Sequence, residues 1–257
     1  GIFDLIKRIR ENNARVIITT SAYPIDEDMA KQIRDVDLSM INFSLDSLMP
    51  ETHDYLRGRA GTYDKVMRAI DYVSKYSPRT NLAINTIILK ENIDEIADIA
   101  KWVEKDDRIV SLYYMAVMRP FGSDLDLNWY DTDRAKILFP DNFRRVDEQL
   151  NNLIQMKRTD SCKIENSVKQ LEIFKSYFKE PTRFIKHYGC NLPDHALNIN
   201  ATGDAYLCFF MEKLGNIKEK TAPQLWYSEE AEAVRKKMRV CKRNCELIFN
   251  CYYEDEA

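Results

Sequence analysis

Over the first 120 residues, short apolar runs alternate with amphipathic segments. RVIITT (15–20) is dominated by β-branched residues and is too short for a helix, which predicts a buried strand; Asp26 to Val36 then reads as a helix. MINFSL (40–45) is the next strand, followed by a helix from Gly61 to Tyr76 with Val66, Ile70 and Val73 at helical spacing. LAINTIIL (82–89) precedes a helix from Asp94 to Lys105 that aligns Ile96, Ile99, Ala100 and Val103, and VSLYYMAVM is a fourth strand. In front of all these, GIFDLIKRIR carries Ile2, Leu5, Ile6 and Ile9 as a short amphipathic helix. Regular strand–helix alternation implies right-handed crossovers and a parallel sheet covered by helices, either barrel-like or doubly wound. Four such units are a part of either fold.

The pattern changes after Arg119-Pro120-Phe121-Gly122. Residues 128–180 hold two long helical patterns, the second being KIENSVKQLEIFKSYFK with Ile164, Val168, Leu171, Phe174 and Phe178 aligned. Five of the six cysteines follow Tyr188. The expected organisation is an α/β body over 1–121, a helical bridge over 122–187 and a small cysteine-rich α+β domain over 188–257.

Charge narrows the class of partner. With 41 acidic and 38 basic side chains the chain has no general attraction for phosphate backbones or anionic lipid, so neither nucleic acid nor membrane is expected as a partner. No apolar run approaches the roughly 18 residues of a membrane span, and a cytoplasmic location is expected. The chain opens at Gly1 inside a helical pattern, which raises the expectation of preceding sequence.

Candidate chemistry is concentrated in the cysteines. Cys190, Cys208, Cys241, Cys245 and Cys251 form a series, with Cys162 apart from them as an ordinary thiol. Disulfides suit small secreted domains rather than a parallel-sheet body without an export signal. Four thiolates suit tetrahedral zinc and an iron–sulfur cluster alike. Leu197, Ile199, Tyr206 and Leu207 predict a hairpin turning at 201–204, whose open end would bring Cys190 and Cys208 together. The later cysteines would then close the site. Spacing alone leaves zinc and cluster open.

Cys190, twelve residues, Gly203, four residues and Cys208, with Cys241-x3-Cys245-x5-Cys251 downstream, resembles the auxiliary-cluster region of radical S-adenosylmethionine (SAM) enzymes, of the SPASM or shorter twitch type. Two departures stand in the second half. The family usually has x2 between the first pair, and it has a further cysteine where this chain has Asp255. INFSLDSLMPETHDYLRGRAGTYDKVMRAI is similar to that family's fourth-strand region, with a strand ending in Ser-x-Asp and a His-Asp-x-x-Arg-Gly element. VIITTSAYPI resembles the preceding strand.

The resemblance implies a partial parallel (β/α)6 barrel, a helical bridge and an auxiliary 4Fe–4S cluster held by thiolates from Cys190, Cys208, Cys241, Cys245 and Cys251. SAM is the implied cosubstrate. Ser44 and Asp46 at a strand end, Arg57 and Asn85 are the implied contacts to it, against blander readings: turn chemistry for Asp46 and a surface ion pair with Glu51 or Asp54 for Arg57. No Cys-x3-Cys-x2-Cys run for a catalytic 4Fe–4S cluster occurs in the sequence, so that cluster is expected from an N-terminal part that this chain lacks. The implied activity is hydrogen abstraction from a peptide or small-molecule substrate by a 5′-deoxyadenosyl radical, in an oxidoreductase or maturase served by an electron donor such as flavodoxin or ferredoxin. Its rival is a non-catalytic scaffold with a structural zinc domain. Phe209, Phe210, Phe249, Tyr252 and Tyr253 are expected to form a dry shell about the cluster.

Overall fold

Helix α1 (Ile2–Glu11) leads into four alternating strands and helical connections: β1 (Ile17–Thr20), α2 (Glu27–Asp35), β2 (Met40–Ser44), α3 (Pro50–Arg57) with α4 (Thr62–Tyr76), β3 (Asn81–Ile88), α5 (Ile96–Lys105) and β4 (Ile109–Ala116). The computed structural model describes residues 1–119, 128–158, 162–182, 190, 192–242 and 245–251, without the side chains of Arg134 and Cys251; Tyr252 and Tyr253 lie outside the described residues. The strands are parallel and ordered β1-β2-β3-β4. With right-handed crossovers, sequential order places the connecting helices on one face.

Side chains alternate between the faces of a strand, so register assigns them. Ile41 and Phe43, Leu82, Ile84, Thr86 and Ile88, and Leu112, Tyr114 and Ala116 share the buried face. Tyr114 hydroxyl donates to the Ile96 carbonyl at 2.5 Å, tying that face to α5. The opposite face is only partly covered. Ile17 there is 52% exposed, and Asn42, Ser44, Asn85, Tyr113 and Met115 are half-buried.

Beyond β4 lie α6 (Asp133–Lys136), α7 (Phe143–Lys157) and α8 (Val168–Lys179), with α7 packed on α8 and α5. The apolar spacing assigns Ile164 to a helix, but the structure places it in an extended segment. Leu112 N–H donates to the Lys163 carbonyl and Glu165 N–H to the Leu112 carbonyl, both at 2.8 Å. Asn166 continues this ladder with its side chain, accepting from Tyr114 N–H at 2.7 Å and donating to the Tyr114 carbonyl at 2.9 Å. An open sheet edge with unpaired main-chain groups outweighs local helical periodicity here.

Contacts divide the chain into two units, residues 1–117 with 133–179, and residues 118–132 with 180–257. The second contains α9 (Leu192–His195), β5 (Asn198–Ile199), β6 (Asp204–Tyr206), β7 (Gly215–Asn216), α10 (Ala222–Trp226), α11 (Glu229–Arg239) and α12 (Glu246–Cys251). The predicted hairpin is β5 against β6, with Asn198 opposite Tyr206 and Ile199 opposite Ala205; β7 adds an unforeseen third antiparallel strand. Gly203 turns the hairpin at φ +93, where an added Cβ would stand 3.0 Å from Asn216 Oδ1. Leu192, Ala205, Leu207, Leu225, Val234 and Met238 form the small core. Buried Arg235 knits its helices by donating to the carbonyls of Pro193 and Trp226 at 3.0 and 2.8 Å. Among the described residues no helix is long and apolar enough to cross a membrane.

Candidate functional site

Four cysteines meet in the second unit. Cys190 precedes α9, Cys208 follows β6, Cys241 follows α11 and Cys245 precedes α12, so each sits at the end of a different element. Together with Leu192, Phe210, Met211, Met238 and Ile248 they line one apolar cavity. The described cysteines form no disulfide. Among the described residues no three His, Cys, Asp or Glu side chains converge as a single ion requires. The four thiols line a common space, a donor set of the kind that holds a polynuclear cluster or, with sulfurs about 2.3 Å from one point, tetrahedral zinc.

The electrostatics of the site are set by burial. Burial pushes the Cys245 thiol up to about 12, opposed by the Leu247 and Ile248 N–H groups at the start of α12 and reinforced by the charges of Cys208 and Glu246. Burial likewise raises Cys190, which feels Cys208 and Cys241. Metal binding must therefore displace protons, and thiolate–metal bonds supply what solvent does not. Phe210 N–H donates to Cys208 Sγ at 3.4 Å, the kind of contact that stabilises charge on a ligating sulfur. Donor set, lining and N–H groups fit an iron–sulfur cluster.

Of the expected aromatic shell, Phe210 lines the cavity, while Phe249 is buried at 1% exposure but is not among the lining residues. Met211 and Met238 complete it without any signal in the cysteine spacing. Also unforeseen is a buried ion pair, Arg119 Nη2 to Glu246 Oε2 at 3.0 Å, whose partners stand 127 residues apart in sequence.

In the first unit, the expected contacts gather where β2 and β3 end. Ser44 lies opposite Asn85 in the parallel register, both half-buried on the open face. Neither side chain hydrogen-bonds within the described residues, so both can serve a ligand. Asp46 and Arg57 instead bind each other, Arg57 Nη2 to Asp46 Oδ2 at 2.7 Å, with side-chain exposures of 22% for Arg57 and 3% for Asp46. Asp46 Oδ1 also accepts from Ile87 N–H at 3.0 Å. Burial raises the Asp46 carboxyl, against the pull of Arg57 and that amide. Glu51 and Asp54, the partners considered from sequence, are not the ones used.

Main-chain staples hold this edge. His53, fully buried, accepts the Asp46 N–H at Nδ1 over 3.2 Å, and burial followed by the Arg57 charge lowers its pKa from 6.5 to about 4. Its Nε2 is buried without a hydrogen bond. Asn92 donates to the carbonyls of Asp46 and Ile87 at 2.6 and 2.8 Å, and Glu95 accepts from Ser47 Oγ and Leu48 N–H at 2.7 and 3.1 Å. Sequence reasoning missed Asn92 and Glu95, whose partners at Asp46, Ser47 and Leu48 lie more than 40 residues away.

Residues 1–103 match the family model of the radical SAM superfamily, and residues 190–252 match that of an iron–sulfur cluster-binding domain. An Fe-coproporphyrin III synthase of Methanosarcina barkeri is 28% identical over 149 residues, covering 57% of this chain and 37% of that protein. An AdoMet-dependent heme synthase of the same organism is 21% identical over 244 residues, covering 91% of this chain and 66% of that protein. Streptococcus suis SuiB bound to its precursor peptide SuiA shares the fold, with a TM-score of 0.63 at 16% identity over 95% of this chain and 57% of SuiB. The chain thus spans 37% to 66% of the length of these proteins.

Proposed function

For a chain that belongs to the radical SAM superfamily and carries an iron–sulfur cluster-binding domain, we propose a role within an enzyme that abstracts hydrogen from its substrate, with an auxiliary 4Fe–4S cluster at Cys190, Cys208, Cys241 and Cys245. The observation that carries this reading is the gathering of these four cysteines, from four element ends, around one apolar cavity. Ser44 and Asn85 are the side chains placed to contact SAM, while Asp46 and Arg57 shape the strand ends beneath it. Cys251, whose side chain lies outside the described residues, is the surplus cysteine in this assignment.

When bound by four thiolates, a cluster leaves no iron open to substrate and supplies one-electron transfer. This chain's contribution is to hold it dry: Phe210, Met211, Met238 and Ile248 exclude water, and amide N–H groups steady the sulfurs. The sequence contains no Cys-x3-Cys-x2-Cys run, so ligands for a catalytic cluster would come from outside these 257 residues. Substrate class is the open choice within this reading. The SuiB likeness favours a peptide, whereas the sequence relatives carry names of tetrapyrrole enzymes.

Anaerobic reconstitution tests the site. The wild-type chain should bind iron and sulfide and show thiolate-to-iron absorption, and replacing Cys208 and Cys241 together by Ala should abolish both. Stoichiometric zinc without sulfide, in protein kept strictly free of oxygen, overturns the assignment in favour of a structural zinc domain.

A further inference from the structure

Arg119 is 3% exposed, yet among the described residues only one of its three guanidinium nitrogens finds a hydrogen-bond partner. Nη2 meets Glu246 at 3.0 Å, while Nε and Nη1 are buried without one. The guanidinium lies 5.1 Å from the centre of the Phe210 ring, and Phe210 lines the four-cysteine cavity. Glu246 directly follows Cys245 and opens α12. A buried arginine with unused donors is costly, and its pair with Glu246 adds little stability over an apolar replacement. What the pair does provide is a fixed dipole beside an apolar cavity, where charges are screened least.

Resting on the cluster assignment above, we propose that Arg119 and Glu246 form a charge pair that sets the reduction potential of the auxiliary cluster, with Arg119 favouring the reduced form and Glu246 opposing it. A cluster ligated by four thiolates is anionic, and reduction adds a further negative charge. A guanidinium held beside Phe210 stabilises that added charge, and a carboxylate next to Cys245 destabilises it. Arg119 is thus a positioning residue for charge rather than a ligand. Two of its donors stay unspent beside the cavity lining, whereas Arg235, buried in the same unit, gives its donors to carbonyls.

The test is a redox titration of the reconstituted 257-residue chain, followed by the electron paramagnetic resonance of the reduced cluster. Arg119→Gln should lower the ratio of reduced to oxidised cluster at a fixed potential by about tenfold, equivalent to about 59 mV for a one-electron couple. Glu246→Gln should shift the ratio the other way, Arg119→Lys should stay near wild type, and the double Gln variant should fall between the single ones. Should Arg119→Gln fail to fold, Glu246→Gln and the double variant still decide the sign. Loaded variants whose potentials all match wild type overturn the proposal and leave the cluster assignment standing. A wild-type chain that takes up no iron and sulfide overturns both.

Discussion

Cys190, Cys208, Cys241 and Cys245 surround a cavity, whereas Asp46, Arg57 and His53 at the sheet edge are bound to one another or to main chain. Both groups are polar side chains at the ends of regular elements. They differ in whether the fold satisfies them. Burial raises the Cys190 and Cys245 thiols, so metal binding there has to displace their protons. At the sheet edge the protein itself supplies partners for Asp46, for one Arg57 nitrogen and for His53 Nδ1, while among the described residues the Ser44 and Asn85 side chains make no hydrogen bond. A side chain that completes a motif can therefore be scaffold.

That contrast can be broken most strongly at the ion pair. Asp46→Asn should destabilise the chain by about 2–3 kcal/mol in urea denaturation, below the roughly 3–5 kcal/mol of a fully buried pair because Arg57 keeps contact with water. A change under about 0.5 kcal/mol, ordinary for surface substitutions, would show that the rim is not self-supporting. His53 gives the next effect, and its sign is set by a depressed pKa. The unfolded chain takes up a proton below the ordinary value of 6.5 while the folded chain resists until about 4, so stability present at neutral pH is lost as pH falls through that window. The loss should reach about 3 kcal/mol, and His53→Gln should remove this part of the slope in denaturation series from pH 7 to 4.

The smallest effect sharpens the comparison from the other side. Ser44→Ala and Asn85→Ala should each leave stability within about 0.5 kcal/mol while weakening SAM binding by roughly 3- to 10-fold in calorimetry, the worth of one hydrogen bond. Unchanged binding by both variants would remove them from the site.

Strands β1 to β4 and their helices were legible in the chain because each declares itself locally. RVIITT and LAINTIIL are β-branched runs of strand length, and Val66, Ile70 and Val73 recur at the helical period. The β5–β6 hairpin was legible for the same reason, with Gly203 at its turn. Cysteine spacing named the candidate ligands. Ile164 was misplaced because its periodicity was overruled by the hydrogen-bonding needs of β4, a partner more than 50 residues away. Distance along the chain likewise hid the rest: Asn92 reaching Asp46, Glu95 reaching Ser47, Arg57 choosing Asp46 over the nearer carboxylates Glu51 and Asp54, and Arg119 finding Glu246. By itself the sequence determined which residues form elements and which thiols are available, since both follow from local pattern. Tertiary structure alone decided which four cysteines share a cavity and which polar side chains remain unused for a ligand, because satisfaction of a buried donor depends on what folding brings next to it.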